Sequence, residues 1–139
     1  MEINPYLNFP GNCEEAFGLY QATLGGNMEI SRFSEMPPDE NAPPVDGNKV
    51  MHVSLHLGDG QVLMGSDVPP HMGEVVFGNH AHLSVAPDSA EDAKRIFDAL
   101  SDNGQVVMPL QSMFWGADFG VLIDRFGVTW MVNYTYPQD

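Results

Sequence analysis

The sequence predicts an α+β fold built from mostly antiparallel sheets. Three observations carry this. The order strand, helix, glycine stop occurs twice: Tyr6–Phe9, Asn12–Leu24 and Gly25-Gly26, then His82–Val85, Ser89–Leu100 and Gly104. Each helix is apolar on one side only, so each should lie on one face of a sheet. After each helix come only extended, turn-broken segments, which argues against alternating parallel units. Two copies are too few for a solenoid, so this is a paired module.

The first helix carries its own boundaries. Asn12 can cap it, with Glu15 three residues on as in a capping box. Cys13, Ala16, Phe17, Tyr20 and Leu24 make the apolar stripe, and Gly25-Gly26 can adopt the left-handed geometry that ends a helix. In the second helix Ser89 and Asp92 are the capping pair. Its stripe is Ala90, Ala93, Ile96, Phe97 and Leu100, with Asn103-Gly104 as the stop. Lys49–Leu57 alternates as a strand, with Val53, Leu55 and Leu57 on one face and His52, Ser54 and His56 on the other. Gly58-Asp59-Gly60 turns the chain into a returning strand, Gln61–Ser66. Gly120–Asp124 and Val128–Thr135 form a second hairpin-like pair around Arg125-Phe126-Gly127. The proline-rich run from Met36 to Gly47 cannot be helix or central strand and reads as a loop. Asp67–Gly73 reads as the connector between halves, with His71 exposed.

Composition narrows the function classes. The chain has 139 residues, 43% of them hydrophobic, enough for a core. Five Lys and Arg against nineteen Asp and Glu give a formal charge of -14, which repels nucleic-acid phosphates and anionic lipid. No run approaches the roughly 20 apolar residues of a spanning helix, and no signal peptide is evident. The single cysteine, Cys13, permits no internal disulfide and fits a cytoplasmic protein. There is no GxGxxG, P-loop or GxSxG motif, so nucleotide or S-adenosylmethionine binding in a doubly wound sheet is unsupported. That counts against a methyltransferase label sometimes attached to similar sequences.

The C-terminal half carries the most specific block: Met108-Pro109-Leu110-Gln111-Ser112-Met113-Phe114-Trp115-Gly116, then Phe119-Gly120, then Asp124 through Asn133. With Tyr6-Leu7-Asn8-Phe9, Gly11-Asn12 and Val50-Met51-His52, it resembles the PhnB-like family of the glyoxalase/bleomycin resistance/dioxygenase (vicinal oxygen chelate) superfamily. The resemblance covers nearly the whole chain. It implies one domain over residues 1–139 made of paired βαβββ modules, about 1–70 and about 75–139. The sheets would be curved with helices on their outer face, and two chains would form a homodimer.

Many members of that superfamily hold a divalent metal at four inward-facing positions, typically two His and two Glu. Carried over, those positions are Pro5, Met64, His80 and Met131. Only His80 can ligate a hard or borderline cation, because thioether sulfur is soft and proline has no ligating side chain. The metal site therefore looks dismantled, and no cofactor is expected. His80 and His82 share a face if their segment is a strand. Positions i and i+2 lie roughly 7 Å apart, workable for two ligands of one metal, but no carboxylate or cysteine completes a set.

The expected ligand pocket is lined by Met64, His80, His82, Ser84, Gln111, Phe114, Trp115, Thr129, Met131 and Asn133. Methionines and aromatics give an adaptable apolar wall, and the few polar groups orient a guest. Trp130 and Phe126 read as core. The leading expectation is a small-molecule-binding protein. The alternatives are a metal-dependent isomerase, lyase or dioxygenase using His80 with non-standard ligands, and a resistance-type protein that sequesters a cationic drug. The family's name evokes phosphonates, but only Arg32, Lys49, Lys94, Arg95 and Arg125 could meet such an anion.

Overall fold

The structure, a computed structural model, describes residues 1–138. The chain forms two compact units, Met1–Val76 and Phe77–Asp139. Each contains one helix and a four-stranded mixed sheet.

In the first unit, β1 (Tyr6–Phe9) leads into α1 (Cys13–Leu24), then β2 (Asn27–Arg32), β3 (Val50–Gly58) and β4 (Gln61–Asp67). The strand order is β1-β4-β3-β2, with β1 parallel to β4 and the other pairs antiparallel. The second unit repeats this with β5 (Leu83–Val85), α2 (Ala90–Ser101), β6 (Gln105–Met113), β7 (Ala117–Ile123) and β8 (Thr129–Thr135). Its order is β5-β8-β7-β6, again with one parallel pair, β5 with β8. The fold is α+β, and the duplicated order is that of the sequence reading.

Two strands, β2 and β6, carry too weak a local pattern to be bounded from sequence. β2 follows the Gly25-Gly26 stop at once and carries only Met28 and Ile30 as large apolar residues. β6 contains Pro109, which lacks an N–H donor. It is tolerated because β6 is an edge strand paired only with β7, in a stretch where the register slips between Met108 and Gln111.

Each helix seats on one face of its sheet through an aromatic ring set over a glycine. A Cβ on Gly65 would lie 2.7 Å from Phe17 Cε1 and 2.8 Å from the Leu7 carbonyl oxygen. A Cβ on Gly120 would lie 2.6 Å from Phe97 Cε2 and 2.9 Å from Leu110 Cα. Leu7, Gly65 and Val53 share one register row, and Gly120 pairs with Val132, which fixes these as the helix-facing rows. Phe9, Phe17, Tyr20, Val53 and Leu55 form the first core; Phe97, Leu100, Leu122, Trp130 and Val132 form the second.

Two buried carboxylates tie these layers together. Asp67 accepts from the Cys13 N–H and the Val50 N–H, both at 2.9 Å. Asp124 accepts from the Phe126 N–H at 2.9 Å, the Val128 N–H at 3.0 Å and the Trp130 indole at 2.9 Å. Each satisfies donors that burial would otherwise leave orphaned. The Asp67 contact corrects the expected cap of α1. Asn12 makes no side-chain cap bond, and its buried Oδ1 has no hydrogen-bond partner among the described residues. Asp67, distant in sequence, reaches the orphan donor first. In α2 the expected cap is present: the Asp92 N–H donates to Ser89 Oγ at 3.0 Å.

The stripes need small corrections. Thr23 rather than Leu24 is buried in α1, and Ala90 of α2 is exposed. Trp130 is core as expected, whereas Phe126 is only half-buried, because Asp124 already closes its turn.

Gly120→Ala should destabilise the protein by about 1–3 kcal/mol, because the new methyl has a ring on one side and backbone on the other. Urea unfolding checks this; an unchanged midpoint would contradict the packing described.

Candidate functional site

In the second unit α2 covers the face carrying Leu122, Trp130 and Val132, so side chains that alternate with them lie on the other face. Register places three rows there. Ser84, Met131, Val121 and Met108 form one. Asn133, Phe119 and Gln111 form the next. Thr129, Ile123 and Gln105 form the third. Five of the residues expected to line a pocket, Ser84, Gln111, Thr129, Met131 and Asn133, thus share one face.

Trp115 joins that group from the β6–β7 turn. Its ring lies 5.7 Å from that of Phe119 and 5.1 Å from that of Phe114, centroid to centroid. Phe114 itself is 97% exposed at the turn. Asn133 Nδ2 donates to Thr135 Oγ1 at 3.2 Å, which fixes the amide on the sheet surface. The result is a methionine and aromatic surface with a few spaced hydrogen-bonding groups.

Met64 belongs to the first unit, on the face that α1 leaves uncovered. It sits in one row with Tyr6 and Ser54. There the structure reveals a group that sequence reasoning passed over. The Tyr6 hydroxyl lies 3.2 Å from His52 Nδ1, and His52 Nε2 lies 2.9 Å from Ser54 Oγ. His52 is therefore held by a hydroxyl at each nitrogen, and its ring packs against that of Tyr6 at 5.6 Å. The His-x-Ser spacing on an alternating strand signalled one half of this; Tyr6 is brought in only by the β1–β4–β3 pairing.

His80 and His82 are not on a strand. β5 begins at Leu83, and both histidines are exposed in the irregular segment before it. The three-residue strand is too short to include them, which corrects the shared strand face expected from sequence. Pro5 offers its carbonyl oxygen to the Met64 N–H at 3.2 Å. Met131 lies half-buried among the rows above. Among the described residues, no three or more His, Cys, Asp or Glu come together as a metal cluster.

Each of the five Lys and Arg side chains has a hydrogen-bond or ion-pair partner. Arg32 makes two bonds to Glu14, at 2.9 and 2.8 Å, and its hydrogen bond and charge hold the Glu14 carboxyl below its ordinary range. Lys49 Nζ donates to the Gly11 carbonyl at 2.9 Å. Lys94 pairs with Asp98, Arg95 with Asp92, and Arg125 with Asp102. These pairs are largely exposed and each stabilises the fold little.

Cys13 is fully buried at the start of α1. Burial, with the charges of Asp67 and Glu14, pushes its thiol up to about 12 from an ordinary 9.0. The thiolate is the nucleophile, so this group is inert in the folded protein.

These surfaces lie on a fold shared with known proteins. A glyoxalase/bleomycin resistance protein/dioxygenase family enzyme from Burkholderia phytofirmans superposes with a TM-score of 0.62 at 14% identity, over 94% of this chain and 97% of that one. The fold is of the vicinal-oxygen-chelate type. Residues 1–133 match the family described as 3-demethylubiquinone-9 3-methyltransferase, and the chain belongs to that PhnB-like family. Protein YjdN of Escherichia coli is 34% identical over 99% of this chain and 98% of its own length. Protein PA1353 from Pseudomonas aeruginosa is 41% identical with a TM-score of 0.86, covering 97% of this chain and 98% of that one. A Bacillus cereus structure titled a putative 3-demethylubiquinone-9 3-methyltransferase, PhnB protein, is 29% identical with a TM-score of 0.77, covering 97% and 100%.

The shift of Cys13 sets a pH dependence. Its folded pKa exceeds the unfolded one, so the stability it contributes is full below about 9 and is lost as pH rises toward about 12. Cys13→Ala should remove that component from the pH profile of urea unfolding. Iodoacetamide at pH 8 should leave native Cys13 unmodified and label it in denaturant; rapid native labelling would contradict its burial.

Proposed function

We propose that the protein binds a small, partly apolar, non-anionic molecule on the uncovered sheet face of its second unit, as a homodimer and without a resident hard divalent cation. The observation that carries this is the set of adjoining rows Ser84–Met131–Val121 and Asn133–Phe119–Gln111, flanked by Trp115. Thioether and ring surfaces supply contact area, while Ser84, Gln111 and Asn133 orient the guest.

Charge supports the restriction to non-anionic ligands. All five Lys and Arg side chains already serve a carboxylate or a carbonyl, so a phosphonate or other anion would compete with those partners on a chain of net charge -14. The donors at the superfamily's metal positions do not suit Mg or Mn either, being a proline, two thioethers and one exposed imidazole. The methyltransferase activity in the family description likewise gains no support from a nucleotide-binding motif.

The test uses Trp115, half-exposed beside the proposed site. Neutral aromatic fragments that bind should change Trp115 emission, and Trp115→Phe should abolish that signal. Met131→Arg should weaken binding at least about tenfold by placing a charge in the apolar row. Amide shifts confined to other surfaces would overturn the reading. Nickel, zinc, manganese and chelator should leave the melting temperature unchanged; a rise with stoichiometric uptake would restore a metal-dependent enzyme. Light scattering should report about twice the 15.3 kDa chain mass, and a monomer would exclude the dimer.

A further inference from the structure

A concavity lies on the helix-bearing side of the second unit, opposite the sheet face described above. It is an open groove of about 540 Å³ between α2 and the edge strand β6, within the roughly 300–1,000 Å³ of small-molecule sites. It exists because α2 is seated over Gly120, toward the middle of the sheet, and leaves β6 partly uncovered. Phe97, Val106, Pro109 and Leu110 give it an apolar wall, and Val106 remains 47% exposed there. An apolar wall on an edge strand is where contact area is gained by covering it.

Ser112 and Asp118, opposite each other in register, close one end. The Tyr136 phenol donates to Asp118 Oδ1 and lies 2.9 Å from Ser112 Oγ. Asp118 is thereby oriented but not neutralised. The groove's own lysine, Lys94, is held by Asp98 at 2.5 Å, and the other four Lys and Arg side chains serve other partners. A half-buried, hydrogen-bond-fixed carboxylate beside an apolar wall selects for positive charge carried on an apolar body.

We propose that this groove is a separate binding site for small organic cations, in which a primary ammonium or guanidinium pairs with Asp118 and an aromatic or branched group covers Val106 and Leu110. The net charge of -14 raises the local concentration of such cations and turns anions away. The groove's Val106, Leu110, Ser112 and Asp118 stand on the helix-bearing face of the sheet, opposite Met131 and Asn133, and only Gln111 of the edge strand borders both surfaces.

The experiment is a titration of the isotope-labelled full chain with 2-phenylethylamine at fixed pH and ionic strength, followed by amide shifts. Saturable shifts should cluster at Val106, Leu110, Ser112 and Asp118. The neutral 2-phenylethanol and the short ethylamine should each bind at least about fivefold more weakly, because each lacks one of the two contacts. Asp118→Asn should weaken the amine by a similar factor. Val106→Arg, at a half-exposed position where folding is not at stake, should abolish the response. Absence of saturable shifts, equal affinity for the alcohol, or an unaffected Val106→Arg titration would each overturn the site. Shifts that fall instead on Ser84, Met131 and Asn133 would also overturn it, while favouring the sheet-face reading.

Discussion

Seating a phenylalanine ring on a glycine decides which side of each sheet is closed. Phe17 over Gly65 and Phe97 over Gly120 bring helix and sheet to a separation that any side chain would prevent. Once the helix is seated, period-two alternation assigns every neighbouring residue to one face or the other. Leu122, Trp130 and Val132 go beneath the helix; Met131, Phe119 and Asn133 go opposite. The candidate site is thus a consequence of core packing as much as of its own residues.

Charge organises the surface in a complementary way. The chain is strongly acidic, and its few Lys and Arg act locally: Arg32 joins α1 to the end of the long loop through Glu14 and the Asn48 carbonyl, and Arg125 joins the β7–β8 turn to the end of α2 through Asp102. Buried Asp67 and Asp124 take backbone and indole donors in place of cations. Such carboxylates resemble metal ligands in a sequence. Their hydrogen bonds to backbone and indole donors account for their burial.

The family assignment and the local chemistry carry different information. The match over residues 1–133 and the similarity to PA1353 and YjdN define ancestry and fold. The residues at the superfamily's metal positions, and the rows around Met131 and Phe119, are properties of this chain. They point toward recognition of an apolar guest by thioether and aromatic surface, a chemistry that a shared fold neither requires nor forbids.

The sequence alone determined the duplication, both helices, the β3–β4 hairpin and the family, because these rest on local periodicity, glycine stops and short motifs. Tertiary structure decided the rest. It replaced Asn12 by Asp67 at the start of α1, since a carboxylate 54 residues away reaches the buried N–H. It admitted Pro109 to a strand, since that strand is an edge. It left His80 and His82 outside β5, and it joined Tyr6 of β1 to His52 and Ser54 of β3, with β4 between them. The physical reason is common to all four: hydrogen-bond partners and strand neighbours are chosen by distance in space, and periodicity along the chain is blind to which distant segment will supply them.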